Sequence, residues 1–304
     1  MAGVREIVWD IPFDGTVVDI LHDFYGVSSG VCTQLRRTLG TVSVSDGAEW
    51  RPVRLPDRVQ AGERLRILLP TEIPEPVPRY PIEVPILYQD DDIAIVSKPH
   101  GLATIPVHGH YGRALPNALA CKWGDFVYRP VHRLDRDTSG LMVIARNRLA
   151  HGILSGSGMQ RDYLAFCQGK TELSGTVRAP IGAHPSDPFL RSVRQDGLPA
   201  CTHYVRLAYR DDVSLLRLHL ETGRTHQIRL HMAYLGHPLC GDLPYGGMLC
   251  GGMQDRHALH SARVELVHPI RRTRFLWTQV PDFVAPYADT EQVAAGLQRA
   301  FDTL

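Results

Sequence analysis

Val131-His132-Arg133-Leu134-Asp135-Arg136-Asp137-Thr138-Ser139-Gly140 is the stretch on which the reading of this chain turns. It runs directly into Leu141 to Ala145, a continuous apolar run of the length of a buried strand. The segment is therefore a loop held by rigid structure, a common place for functional groups. Two carboxylates, Asp135 and Asp137, are interleaved with Arg133 and Arg136. Neighbouring cations favour the ionised carboxylate, and a carboxylate kept charged can act as a nucleophile or stabilise a developing cation. By its residues alone the loop reads first as a salt-bridged turn, with Asp137, Thr138 and Ser139 as turn and cap residues.

Downstream, Glu221-Thr222-Gly223-Arg224-Thr225-His226-Gln227-Ile228-Arg229-Leu230-His231 leads from a strand through a glycine turn into a helix. Leu216, Leu218 and Leu220 alternate with Arg217, His219 and Glu221, the pattern of a half-buried strand. The helix is expected from His226 to Leu235, with Ile228, Met232 and Leu235 on one face, Thr225 capping its start and Gly236 ending it before Pro238. Backbone N–H groups at such a start favour an anion. The plain alternative is a helix start whose polar residues face water, and spacing alone does not place the two loops in one cleft.

Upstream, Ile86 to Tyr88 and Ile93 to Ser97 read as strands around the turn Asp90-Asp91-Asp92. Pro70 to Pro85 holds six prolines and reads as a semi-rigid extended linker. It divides the chain into a small module, residues 1–70, a linker, 71–85, and a large domain, 86–304. Within the module, Val17, Ile20, Leu21 and Phe24 have helical spacing ended by Gly26; a second helix is expected from Gly30 to Leu39, and strands at Thr41 to Val44 and Arg64 to Leu69. The tail, Asp289 to Phe301, reads as a helix with Val293, Leu297 and Phe301 on one stripe.

The totals narrow the class. With 304 residues, 44% hydrophobic and 21% charged, the chain has an ordinary globular composition. No apolar run suits a signal peptide or a bilayer span, so a cytoplasmic protein is expected. Net charge is +1, so affinity for nucleic acid has to come from local positive patches. Lysine occurs only at 98, 122 and 170; the other basic residues are arginines, whose planar fork suits phosphate and base edges. Cys32, Cys121, Cys167, Cys201, Cys240 and Cys250 form no C-x-x-C pair and read as reduced and mostly buried. His108 with His110 and His226 with His231 are the nearest to a metal pair, but neither has the helical i, i+4 spacing or a cysteine or carboxylate in a known pattern. No metal and no organic cofactor is expected.

Taken together, the motifs resemble the RluA-type pseudouridine synthase family. His132 to Gly140 is similar to its signature at every position; Gly223-Arg224-Thr225-His226-Gln227-Ile228-Arg229 resembles its third motif, followed by Gly236-His237-Pro238 and Gly241-Asp242. Ile86 to Asp92 with Lys98-Pro99-His100-Gly101-Leu102 resembles its opening, and Leu259-His260 with His268-Pro269 its close. Several such matches in order outweigh any one of them. The resemblance implies an α+β chain: a mixed, largely antiparallel sheet with flanking helices and a central cleft. Residues 1–70 resemble the family's alpha-L RNA-binding module, with Arg36-Arg37 on its second helix and Ser28 to Cys32 in place of a basic helix start.

The implied activity is conversion of uridine to pseudouridine in ribosomal or transfer RNA, by a monomer needing no cofactor. By the same resemblance Asp135 matches the catalytic aspartate, Tyr163 a tyrosine that stacks on the target base and is proposed to take its C5 proton, and Arg229 the arginine that pairs with the aspartate. Arg133 matches one that helps flip the base, and His132, Arg224, His226 and Gln227 fall in the substrate-binding motifs. Between Asp135 and Tyr163 the chain is shorter than is usual in the family, Ser155-Gly156-Ser157-Gly158-Met159 replacing a basic segment, and Asp162 stands where a lysine is common. Altered RNA contacts are expected there. Two other readings are a non-catalytic RNA-binding or assembly protein, and a carboxylate hydrolase; the second lacks the Mg²⁺-binding carboxylates or phosphate-binding glycine loop it would need.

Overall fold

A computed structural model of the chain describes residues 4–37, 40–70, 72–106, 112–253 and 256–301. His108 and His110 fall outside them. Among the described residues no helix is long and apolar enough to cross a membrane.

The larger sheet runs in the order Ser174–Arg178, Cys201–Arg210, Val213–Leu220, Gln160–Gln168, Leu259–Val267, Ser139–Ala145, Ile93–Lys98, Ile86–Gln89, and Arg274–Thr278 also pairs with Leu259–Val267. All pairings are antiparallel except one short parallel contact, His260 with Ser139 and Ser261 with Gly140. The fold expected from the motifs, mixed and largely antiparallel with flanking helices, is thus the one observed. At the parallel contact the strands approach closely. A Cβ on Gly140 would lie within 2.7 Å of the Ser261 nitrogen and closer still to its carbonyl oxygen, and φ there is +110°. Only glycine meets both conditions without strain.

Strand alternation gives the sheet two covered faces. Tyr163, Ala165 and Cys167 point with Leu216 and Leu218 to the front, under Ile228 and Met232 of the helix Gln227–Tyr234. Leu164 and Phe166 point with Leu215 to the back, under Val293 and Leu297 of the tail helix Thr290–Gln298. Asp289 caps that helix, while Phe301 lies beyond it with its ring stacked on His219 at 5.3 Å. The Val213–Leu220 strand is therefore not half-buried as its alternation suggested. Arg217 is buried on the back face, paired with Asp162 and donating to the Gly296 and Arg299 carbonyls. A polar residue whose charge is paired can occupy a covered face.

The N-terminal residues form a four-stranded sheet in the order Val4–Asp10, Arg64–Pro70, Val42–Ser45, Arg51–Pro52. The first strand was not anticipated, although Ile7, Trp9 and Ile11, all buried, show the period of two. Val17 to Tyr25 begins as α-helix and widens into a π-turn, Ile20–Phe24, and the second helix spans Ser29–Arg37. This sheet shares its core with the large domain: Leu149 and Ile153 of the helix Arg148–Gly156 belong to the same apolar cluster as Ile20, Val31 and Leu65. A Cβ on Gly152 would lie 2.6 Å from Ser28 Oγ, so the absent side chain lets the two helices approach. Arg5 donates to Asp92 Oδ2 at 2.6 Å and Trp9 Nε1 to the Ile270 carbonyl at 3.1 Å.

The proline-rich segment is not a free spacer. Val84 is buried in the large core, with Tyr80 and Ile82 packed against it. Proline keeps the segment extended, so alternate apolar side chains meet the domain surface.

Candidate functional site

The 131–138 loop is fixed from beneath. Thr104 Oγ1 donates to the Leu134 carbonyl at 2.7 Å and accepts from the Leu134 N–H at 3.1 Å. Lys98, buried at the end of its strand, donates from Nζ to the carbonyls of Pro99, Leu102 and Arg136 at 2.9, 2.8 and 2.9 Å. Burial pulls its pKa down to about 7, against the pull of Asp137 and Asp135. The Thr138 N–H donates to the Asp135 carbonyl at 3.2 Å and closes the turn. Thr138 Oγ1 and Ser139 Oγ then bond His257 Nε2 at 2.8 Å and His260 Nδ1 at 2.9 Å. Burial, with help from nearby arginines, brings His257 to about 4 and His260 to about 3, so both are neutral at neutral pH.

The loop holds Asp135 at a cleft lined also by Arg133, Thr138, Tyr163, Leu220, Arg224, His226, Arg229 and Leu259. Arg229 Nη1 donates to Asp135 Oδ2 at 3.2 Å. Its other side is gripped by Asp242, which accepts from Nε at 2.8 Å and from Nη2 at 2.7 Å. Asp242 is fully buried, and such a two-pronged pair fixes the guanidinium plane as well as its charge. Burial alone would lower the Arg229 pKa; the two carboxylates outweigh it and keep the residue charged. Tyr245 completes the support: its ring lies 4.9 Å from the Arg229 guanidinium and its hydroxyl is 2.8 Å from His226 Nδ1. The turn carrying Asp242 and Tyr245 is closed by a disulfide between Cys240 and Cys250, so these two cysteines are not reduced as expected. They are ten apart in sequence, and the turn between them brings their Cα atoms to 5.2 Å.

Tyr163 is buried in the floor of the cleft. A bulge between Asp162 and Tyr163, against Leu259–Val267, sets its angle there. Burial raises its pKa, with Asp135 and Asp162 adding to the effect and Arg161 opposing it. Its hydroxyl has no hydrogen bond among the described residues. Asp162 points the opposite way, fully buried on the back of the sheet, bonded to Arg217 and to His219 Nδ1 at 2.7 Å. The expected loss of an RNA-facing lysine at this position is therefore corrected: the side chain is internal and balances buried arginines. The helix Arg148–Gly156 ends directly before the Gln160–Gln168 strand, and Met159 packs against the apolar cluster there.

The remaining motif residues divide. Arg133 and Arg224 are exposed at the cleft, Arg224 resting on the Pro199 carbonyl at 3.1 Å. His226, not Thr225, precedes the helix, in a left-handed conformation (φ +58°) and without a side-chain cap. Its Nε2 is 3.7 Å from Asp135 Oδ2, and burial lowers its pKa although Asp135 opposes this. Gln227 is spent internally: Nε2 donates to the Cys201 carbonyl and Thr202 Oγ1, and Oε1 accepts from Thr222 Oγ1 and the Arg224 N–H. His132 is buried under the loop, its Nε2 accepting from the Val143 N–H at 3.2 Å. Gln227 therefore lines the cleft while its amide ties the turn to the neighbouring strand, and His132 supports the loop from beneath. His231, once weighed as a metal partner of His226, is bonded to Thr202 Oγ1 and the Ala179 carbonyl.

Asp242, Tyr245 and Lys98 were not anticipated in the site. Lys98 and Asp242 lay in matching motifs without an assigned role, and nothing in the local pattern placed them beside Arg229 or the 131–138 loop.

Known proteins share this arrangement of sequence. A family model described as RNA pseudouridylate synthase matches residues 92–234. The chain is similar to the uncharacterized RNA pseudouridine synthase YjbO of Bacillus subtilis, 39% identical over 224 residues, which cover 70% of this chain and 78% of that one. It is similar also to ribosomal large subunit pseudouridine synthase D of Nitrosomonas europaea, 39% identical over 245 residues, 75% of this chain and 71% of the relative. In fold it resembles the human RNA pseudouridylate synthase domain containing 1, at a TM-score of 0.59 and 24% identity, over 74% of this chain and 99% of that structure. The chain belongs to the RNA pseudouridylate synthase family and is an RNA pseudouridine synthase, an isomerase.

Proposed function

We propose that Asp135 is the catalytic carboxylate and that the target uridine lies in large-subunit ribosomal RNA. The observation that carries the site is the chain of charge Asp135–Arg229–Asp242, set above Tyr163 at one cleft. The reaction breaks the N1–C1′ glycosidic bond of uridine, turns the uracil, forms the C5–C1′ bond and moves the C5 proton to solvent or to N1. Its atoms balance without a co-reactant. Bond cleavage builds positive character on the sugar, which an ionised Asp135 stabilises by charge or by attack. Arg229 holds Asp135 in place through the 3.2 Å contact from Nη1 to Oδ2. Because Asp242 neutralises the other side of Arg229, Asp135 retains a free oxygen toward the cleft.

A base inside a helix cannot reach this site and has to be flipped out. Tyr163 offers a buried ring on which the flipped uracil stacks, and Arg133, exposed and without a partner among the described residues, is free to fill the vacated place. Since burial and Asp135 favour the protonated Tyr163 hydroxyl, the aromatic face is its main contribution, and taking the C5 proton requires that the hydroxyl first give its own to water in the cleft. Arg224 and His226 border the same opening. The ribosomal assignment rests on the names of relatives at 36–39% identity, called ribosomal large subunit pseudouridine synthase D. Residues 4–70 act as a second RNA contact through Arg36 and Arg37.

The test is conversion of uridine in transcribed large-subunit RNA and in transfer RNA, read by release of tritium from C5. Wild-type protein is expected to modify the ribosomal fragment. Asp135→Asn is expected to abolish the reaction while binding RNA normally. Normal turnover by Asp135→Asn rejects the site; turnover on transfer RNA alone rejects the substrate.

A further inference from the structure

Among the described residues, two clusters outside the cleft bring together histidine with cysteine or carboxylates: Asp90, Asp92 and His268, and Cys201, His203 and Glu221. The first is already satisfied. Asp90 accepts from the backbone N–H groups of Asp92 and Ile93, from Tyr88 and from His268, and Asp92 is held by Arg5 and Asn147. A cation there would have to displace most of these bonds.

The second cluster is built differently. Cys201 and His203 lie two apart on one strand and so on one face, and Glu221 follows the neighbouring strand opposite Cys201. Their donor atoms all lie within 4.8 Å of one another. Cys201 Sγ is 3.6 Å from His203 Nε2, and that nitrogen is 2.6 Å from Glu221 Oε1. A zinc ion about 2.3 Å from sulfur and about 2.0 Å from nitrogen in tetrahedral geometry separates those two donors by about 3.6 Å. The sulfur–nitrogen edge is thus already at the spacing of a bound ion, and only the exposed Glu221 side chain has to move outward.

The support around the donors is also in place. Thr176 Oγ1 bonds His203 Nδ1 at 2.8 Å, the outer contact that orients a metal-binding imidazole. The Cys201 backbone is held on both sides, its N–H donating to Thr222 Oγ1 at 3.0 Å and its carbonyl accepting from Gln227 Nε2 at 2.9 Å. Arg178 pairs with Glu221 at 3.3 Å but is largely exposed and can swing away.

We propose that Cys201, His203 and Glu221 form a site for a divalent transition metal of the zinc class, with water as the fourth ligand. The site lies behind the Thr222-Gly223-Arg224 turn, on the opposite face of the sheet from Tyr163. The ion ties together the ends of two strands at the foot of the helix that carries Arg229. It is not part of the isomerisation itself. Burial and Glu221 push the empty Cys201 thiol up to about 11, so loading the metal releases its proton.

The test uses Co²⁺ as the probe on full-length protein with the Cys240–Cys250 disulfide intact. Binding of one equivalent with a thiolate-to-cobalt absorption band and the intense visible bands of a tetrahedral ion is expected, with Zn²⁺ competing. Cys201→Ser is expected to remove the thiolate band. Glu221→Gln, an exposed change that spares folding, and Thr176→Val are expected to weaken binding roughly 10-fold or more. Cys32→Ser and Cys121→Ser serve as controls and leave the spectrum unchanged. A spectrum without thiolate character, or one that survives Cys201→Ser or is indifferent to Glu221→Gln, overturns the proposal. A metal-dependent rise in Tm that Cys201→Ser abolishes supports it.

Discussion

Asp242→Asn removes one charge from the buried end of the Asp135–Arg229–Asp242 chain while keeping the side-chain volume. Arg229 is about nine-tenths buried and Asp242 fully so. Taking one partner from such a pair leaves a charge in low dielectric with half its bonds, a loss of about 3–5 kcal/mol. At about 2.1 cal/mol/K per residue, unfolding 304 residues carries an entropy of about 0.64 kcal/mol/K, so Tm is expected to fall by roughly 5–8 °C. The functional effect is larger in proportion. Asparagine presents an N–H₂ group to a guanidinium that needs two acceptors, so Arg229 rotates and its Nη1 leaves the 3.2 Å contact with Asp135. A displacement of about 1 Å at reacting groups costs about 100-fold in rate. The expectation is a kcat reduced about 100-fold with KM for RNA little changed, because Asp242 does not reach the cleft surface. Calorimetry and single-turnover tritium release measure the two effects, and the double variant with Arg229→Gln should lose less stability than the two single losses added. A variant that melts within a degree of wild type and turns over within twofold of it refutes the idea that Asp242 sets the position of Arg229.

Gly140→Ala places a Cβ against the Ser261 backbone at φ +110° and is expected to cost at least about 3 kcal/mol, seen as insoluble protein or a large drop in Tm. Thr104→Val leaves the Leu134 N–H and carbonyl without their side-chain partner; a loss of about 1–3 kcal/mol in denaturant midpoint is expected, with a slower reaction as the loop loosens. Acid should destabilise the protein between pH 6.5 and 4. His257 and His260 take up protons near 4 and 3 when folded, but their unfolded forms do so near 6.5, so the unfolded state binds more protons in that window and stability falls as pH falls. Each contributes a slope of up to about 1.4 kcal/mol per pH unit; His257→Gln should remove about that much, and an unchanged slope in chemical denaturation would contradict the assignment.

What could be read in the sequence follows from how local each signal is. Leu141 to Ala145 was legible as a buried strand because five apolar residues in a row need no partner to be recognised. Asp135, Tyr163 and Arg229 were marked by motifs, and the structure brings all three to one cleft. Asp242 and Tyr245 were not legible as site residues, since they sit on an irregular turn and reach Arg229 only through the folded chain. Asp162 was misread because strand direction alone cannot show that its face is covered by a helix from the end of the chain. His132 shows a related limit: a polar residue in a motif looks the same whether it meets substrate or backbone, and this one accepts from the Val143 N–H. The metal cluster was hidden in a census of neighbouring histidines, because its third donor lies on another strand.

The shared core between the N-terminal sheet and the helix Arg148–Gly156 has a geometric consequence. With Leu149 and Ile153 inserted among Ile20, Val31 and Leu65, and with Arg5 and Trp9 bonded to Asp92 and the Ile270 carbonyl, the module sits at a set bearing from Asp135. On the RNA contact proposed for Arg36 and Arg37, the two arginines are the far mark of a ruler whose near mark is the cleft. An RNA would satisfy both only with a phosphate at the right distance and angle from the uridine, which would make the module select by shape even where it adds little grip.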